Sequence, residues 1–175
     1  YSISANKLMM NALEARQILA AAEIIHSEST IMQTVERLAA DITTELSEQQ
    51  PLVMCVMRGA VVFAGQLLPQ LHFPLDFDYV HVTRYDNRMQ GGEIKWLVRP
   101  PEVLDDRTVL VLDDILDEGV TLMAIREQIL RNGAQAFYSA VLVEKETSGP
   151  KSFQADFVGL RVPNRYVFGC GMDIQ

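Results

Sequence analysis

Apolar residues early in the chain recur at helical spacing. Ile31, Val35, Leu38, Ile42 and Leu46 fall on one stripe, which predicts an amphipathic helix over 30–46, with Thr30 and Gln33 placed as a capping box. Residues 11–28 predict a second amphipathic helix before it. Pro51 ends the helical section and the pattern changes. Leu52 to Met57 is a continuous apolar run of strand length, followed by Arg58-Gly59 and then AVVFAGQLL, which predicts strand, tight turn and a helix closed by Pro69.

Two strand-like stretches follow, Asp76 to Thr83 and Glu93 to Arg99. Their connector, 84–92, is long, polar and glycine-bearing, more like a mobile loop than a hairpin turn. Asp105-Asp106-Arg107 reads as a turn before the apolar strand TVLVL. A helix is predicted from Val120 to Arg131, stopped by Asn132-Gly133, and Ala136 to Val143 is another buried-type strand. Apolar strands alternating with helices imply an α/β fold with a mostly parallel sheet covered on both faces. With no internal repeat or low-complexity linker, residues 1–175 are expected to form a single domain. The two helices preceding the sheet should pack on it.

Composition narrows the partners. Among 175 residues, 49% are hydrophobic, enough for one core, and the net charge is −8 with a pI near 4.8. Such a surface repels phosphate polymers and anionic lipid, so neither nucleic acid nor membrane is an expected partner. Cys55 and Cys170, without CxxC spacing, suggest neither a disulfide framework nor a zinc site, and a reducing, cytoplasmic home fits. The Ala- and Leu-rich segment from Met9 to Ile25 carries Glu14, Arg16 and Glu23, so it is read as helix rather than leader. Since the chain opens on Tyr1 and stops at Gln175, residues beyond either end are expected. His26, His72 and His81 show no ligand spacing.

The acidity is uneven. Six of the 23 acidic residues, Asp105, Asp106, Asp113, Asp114, Asp117 and Glu118, fall in one short stretch against Arg107 alone. Crowding like charges at a strand end costs stability unless a cation or ligand offsets the repulsion. Asp105 and Asp106 are left as a solvated turn. In VLVLDDILDEGVTL, the residues Glu118, Gly119, Val120 and Thr121 are placed to curl across a helix N-terminus, where backbone N–H groups and the Thr121 hydroxyl can receive a phosphate dianion. Asp113 and Asp114, just before, suit vicinal hydroxyls or a hydrated divalent cation. A sugar phosphate satisfies both halves. In isolation such an Asp pair is more often a turn or a helix cap. The string also spells the DDxxD of prenyl-diphosphate enzymes, but those carry it on a long helix, and the strand-loop-helix context here argues against it.

VLVLDDILDEGVTL resembles the phosphoribosyl-diphosphate signature of the type I phosphoribosyltransferases, and the likeness extends from Met54 to Asp173. VEKET and DFVGLRVPNRYVFGCGMD are similar to the purine-recognition and metal-binding segment of the hypoxanthine-guanine branch of that family. The resemblance implies a magnesium-dependent purine-salvage transferase. It would make the nucleoside monophosphate and pyrophosphate from an oxopurine and phosphoribosyl diphosphate. It further implies a purine-recognition hood built from the chain ends and a homodimer or homotetramer, the first two helices helping to form a subunit contact.

Residue roles follow from the same likeness. Asp113 and Asp114 would hold the ribose hydroxyls and magnesium, and Asp117 would be the general base facing the imidazole side of the purine. Glu118 to Thr121 would clasp the 5′-phosphate. Arg58 and Gly59 match the pyrophosphate loop, in which the peptide before the basic residue is often cis. Lys145 would donate to the 6-oxo group, Tyr166 would stack on the purine, and the Val167 backbone would read its pyrimidine edge. Tyr85 belongs to a lid over 84–92, and Asp173 would bind a second magnesium. The family usually has Thr at Glu118, Lys at Arg58, Ser at Arg84 and an Arg beyond Asp173. A regulator that senses phosphoribosyl diphosphate with the same fold is the alternative. Such regulators generally need a nucleic-acid-binding surface, and the net acidity and Asp117 favour catalysis instead.

Overall fold

A computed structural model describes residues 12–84, 94–147, 149 and 151–172. The elements run α1 (Ala12–Ala21), α2 (Glu28–Leu46), β1 (Leu52–Met57), α3 (Val61–Leu67), β2 (Asp76–Arg84), β3 (Ile94–Val98), β4 (Thr108–Leu116), α4 (Val120–Arg131), β5 (Ala136–Glu146) and β6 (Phe157–Pro163). They build a six-stranded sheet of order β3-β2-β1-β4-β5-β6. Among the described strands the β2–β3 pair is antiparallel and the other pairs are parallel, so the sheet is mostly parallel, as the uninterrupted apolar strands imply.

Alternation along the buried strands feeds two cores. On one face Leu38, Ile42 and Leu46 of α2 and Phe63 and Leu67 of α3 pack against Val53, Cys55, Leu110, Leu112 and Leu142. On the other, Leu122, Ile125 and Ile129 of α4 cover Met54, Val56, Val109, Val111 and Val141. α2 buries the stripe that its spacing predicts, whereas α1 does not pack on the sheet as expected: its described side chains, Ile18 and Leu19 among them, are exposed.

Local chemistry explains where the elements differ from expectation. The α2 cap is Ser27, not Thr30, because the Ser27 hydroxyl accepts the Thr30 backbone N–H at 3.2 Å and its own backbone is extended. The first helix stops at Ala21 rather than reaching 28. Pro69 lies inside a 3-10 turn, Leu68–Gln70, that follows α3. The strand beginning TVLVL does not end before the acidic residues: β4 runs on through Asp113, Asp114 and Ile115 to Leu116, paired with β5 on either side of Asp114. β5 likewise continues past Val143, so Lys145 is a strand residue rather than one following it.

The sheet opens at its carboxyl end. β1 and β4 are paired from Leu52↔Val109 only to Cys55↔Leu112, whereas β1 follows β2 on to Met57↔His81 and β4 follows β5 on to Leu116↔Glu144. The chain leaves β1 toward β2 on one side and arrives at β4 on the other, and a crevice at such a switch point is where open α/β sheets bind ligands.

Candidate active site

The crevice contains a cavity of about 530 Å³. Its floor is acidic. Asp113 and Asp114 are 7% and 9% exposed, and both line it, although neighbours on a regular strand face opposite sides. The alternation changes over at this point, since Leu112 and Ile115 belong to the same core. Asp113 accepts the Asp114 backbone N–H at 3.0 Å, and Asp114 accepts that of Ile115 at 2.9 Å, so each carboxylate is oriented by its own chain. Beneath them Cys55 is buried, and its thiol is pushed up to about 11 by burial and then by the Asp113 and Asp114 charges.

One wall is the turn after β1. The Met57–Arg58 peptide is cis, and Gly59 lines the cavity while Arg58 is exposed and does not. Gly59 cannot be another residue without displacement, because a Cβ there would collide with the Asp114 carboxylate. On its other side the Gly59 carbonyl leaves no room for a Cβ on Gly171. Two glycines thus let three backbone segments meet at the acidic floor.

The opposite wall is the start of α4. Gly119 caps that helix at φ +85°, a left-handed conformation that a side chain would resist. Gly119 and Thr121 line the cavity, whereas Val120 and the exposed Glu118 do not. The N-terminal N–H groups of α4 therefore begin beside the carboxylate pair.

The roof comes from β5 and the C-terminal segment. Lys145, 16% exposed in its side chain, donates to Asp117 Oδ2 at 2.8 Å. Register dictates that meeting: Glu144 sits opposite Leu116 on the neighbouring strand, so the next residue of each chain follows at the same level. Tyr166 and Val167 also line the cavity, and the Tyr166 ring lies 6.1 Å from that of Phe168. This segment is tied to the amino-terminal one. Arg165 pairs with Glu23 at 3.1 Å, and His26 is hydrogen-bonded to the Arg161 carbonyl at 3.2 Å.

The structure thus gathers Gly59, Asp113, Asp114, Asp117, Gly119, Thr121, Lys145, Tyr166 and Val167 around one space. Tyr85, with the connector after Arg84, and Asp173 lie outside the described residues. Sequence reasoning missed Leu122, Gly171 and Met172 as lining residues, together with the Lys145–Asp117 pair. Gly171, one of the two glycines flanking Cys170, was the one local signal for this close approach.

The donor set is suited to magnesium. Two buried carboxylates offer hard oxygens, and among the described residues no three acidic, His or Cys side chains converge as a closed metal cage. Magnesium is ordinarily held by one or two carboxylates, with substrate oxygens and waters completing its shell.

Comparisons with known proteins agree with this geometry. A family model described as a phosphoribosyl transferase domain matches residues 21–175. The hypoxanthine-guanine phosphoribosyltransferase of Bacillus subtilis is 30% identical over 152 residues, which cover 86% of this chain and 84% of that protein. Among solved structures, a hypoxanthine-guanine-xanthine phosphoribosyltransferase superposes with a TM-score of 0.70 at 27% identity, over 87% of this chain and 85% of the other. A hypoxanthine phosphoribosyltransferase from Staphylococcus aureus reaches 0.82 at 22% identity, over 95% and 89% of the two chains, a likeness of fold.

Proposed function

The chain belongs to the phosphoribosyltransferase family, and from that footing we propose that it joins an oxopurine, hypoxanthine or guanine, to phosphoribosyl diphosphate, releasing pyrophosphate. The observation that carries this is the convergence of Asp113, Asp114, the Lys145–Asp117 pair and the Gly119 cap of α4 on one cavity.

The Asp113 and Asp114 carboxylates face the sugar, whose anomeric carbon becomes electron-poor as its bond to pyrophosphate breaks. Fixed negative charge there stabilises that carbon more than it stabilises the ground state. The 5′-phosphate rests on the N–H groups of 118–121 and the Thr121 hydroxyl, with the exposed Glu118 contributing backbone only. An entering purine replaces the Lys145–Asp117 contact with two of its own. Lys145 donates to the 6-oxo oxygen, and Asp117 accepts the proton from the imidazole-side nitrogen as that nitrogen forms its bond to the anomeric carbon. Tyr166 covers the ring face and the Val167 backbone meets the pyrimidine edge. Asp113 and Asp114, and at a second position Asp173, would hold magnesium, which would supply the positive charge that a departing pyrophosphate requires. Gly59 flanks that leaving group from the cavity wall, the exposed Arg58 beside it would contribute its positive charge, and Tyr85 would belong to the lid that excludes water.

The family likeness supports a single-domain enzyme of small-molecule metabolism that assembles as a homodimer or homotetramer, the two cysteines without CxxC spacing support a cytoplasmic home, and the net charge of −8 disfavours nucleic acid as a partner. Among the described residues no helix is long and apolar enough to cross a membrane. The test is incubation with hypoxanthine, guanine or xanthine plus phosphoribosyl diphosphate and magnesium, with nucleotide and pyrophosphate measured together. Formation of the monophosphate supports the proposal, and no nucleotide from any oxopurine overturns it.

A further inference from the structure

Three consecutive residues outside the cavity act on the turn that precedes α4, each by a different contact. Ser152 donates its hydroxyl to the Glu118 carbonyl at 2.7 Å. Lys151 reaches the Leu116 carbonyl at 3.5 Å while its charge is paired with Glu144 at 3.0 Å, and the side chains of that pair are only 12% and 17% exposed. Phe153 packs so closely on Gly119 that a Cβ on the glycine would collide with it. The phenylalanine is itself anchored, 8% exposed and edge-on to Phe137 at 6.2 Å.

In a trans peptide the carbonyl and the following N–H point in opposite directions. Holding the Glu118 carbonyl outward on Ser152 therefore aims the Gly119 N–H the other way, and Gly119 lines the cavity. Drawing the Leu116 carbonyl toward Lys151 does the same for the Asp117 N–H. Phe153 then closes the space behind the left-handed Gly119, so the turn has little room to relax.

We propose that Lys151, Ser152 and Phe153 are positioning residues: a strap between β5 and β6 that holds the 5′-phosphate turn with its N–H donors facing the ligand. The proposal rests on 118–121 receiving the 5′-phosphate and adds what keeps that turn in shape. A preorganised donor set binds the phosphate without first paying to order itself, so the strap acts on affinity for the diphosphate and not on the purine.

Steady-state kinetics of the full chain with hypoxanthine, phosphoribosyl diphosphate and magnesium test it. Ser152→Ala is expected to raise KM for phosphoribosyl diphosphate about 2- to 10-fold, the range for one lost hydrogen bond. The turnover number and KM for hypoxanthine stay as in wild type, and Ser152→Thr, which keeps the hydroxyl, restores the low KM. Lys151→Met is expected to shift the same KM in the same direction. Unchanged KM in both Ser152→Ala and Lys151→Met overturns the strap, as does a parallel change in all three parameters that tracks a lowered melting point. Thr121→Val separates the two levels. If it raises KM for the diphosphate while the strap variants do not, the strap alone fails; if neither it nor they raise KM, the phosphate assignment of 118–121 fails with it.

Discussion

Lys145 on β5 and Asp117, the first residue after β4, are bonded to each other at 2.8 Å. The group proposed to donate to the purine's 6-oxo oxygen and the group proposed to take its proton are thus mutual partners, set at matching level by the β4–β5 register. A base loses its role when it cannot accept a proton. Asp117→Asn is expected to lower the turnover number about 10²- to 10⁴-fold, the usual worth of a positioned base, with KM for phosphoribosyl diphosphate little changed. Lys145→Met should act chiefly on KM for the oxopurine. Steady-state kinetics of the two variants separate these effects, and an Asp117→Asn enzyme as fast as wild type would remove Asp117 from that role.

Gly59 is required by space. A methyl group at this position meets the Asp114 carboxylate, which is itself buried and has little freedom to yield. Gly59→Ala is expected to destabilise the fold by about 1–3 kcal/mol, the range for forcing extra volume into a packed site. It should also displace Asp114 and depress activity beyond the stability loss. Urea denaturation beside kinetics measures both, whereas Gly65→Ala, on the exposed side of α3 where a Cβ meets open space, should leave activity unchanged and stabilise by about 0.5–1 kcal/mol.

The Cys55 thiol makes stability depend on pH in the alkaline range. Its pKa is raised from 9.0 to about 11, first by burial and then by Asp113 and Asp114. The unfolded chain therefore loses this proton before the folded one does. The contribution is fully present below pH 9.0 and declines as pH rises through about 11. Cys170 is shifted in the same direction, so the informative quantity is the difference between wild type and Cys55→Ala. Denaturation midpoints of the two proteins should converge across that window, and parallel curves would contradict the assignment.

Two carboxylates make an incomplete magnesium site. Magnesium alone is expected to raise the melting temperature little, and magnesium with phosphoribosyl diphosphate much more, because substrate oxygens complete the shell. Chelation should stop nucleotide formation and added magnesium should restore it. Thermal shift measurements over the four combinations of metal and substrate test the first expectation, and full activity in excess chelator would refute the second.

Much of this was legible along the chain because its causes are local. Apolar periodicity marked the strands and helices, Gly119 marked a segment curling across a helix N-terminus, and the crowding of Asp113 to Glu118 marked a site. The capping of α2 was not, since Ser27, Ser29 and Thr30 all offer hydroxyls and the local chain conformation selects among them.

What only the tertiary structure decided are encounters between segments distant in sequence. Asp117 meets Lys145, Glu118 meets Ser152, and Asp114 occupies the space that Gly59 leaves open. These depend on which strands adjoin and in what register, and on where β1 and β4 part. Such properties come from satisfying both cores and every ladder at once, and no local propensity encodes them. By itself the sequence determined a parallel α/β fold with an acidic strand end and the family to which it belongs. Folding decided which side chains share that end, and so what chemistry the carboxylates can do.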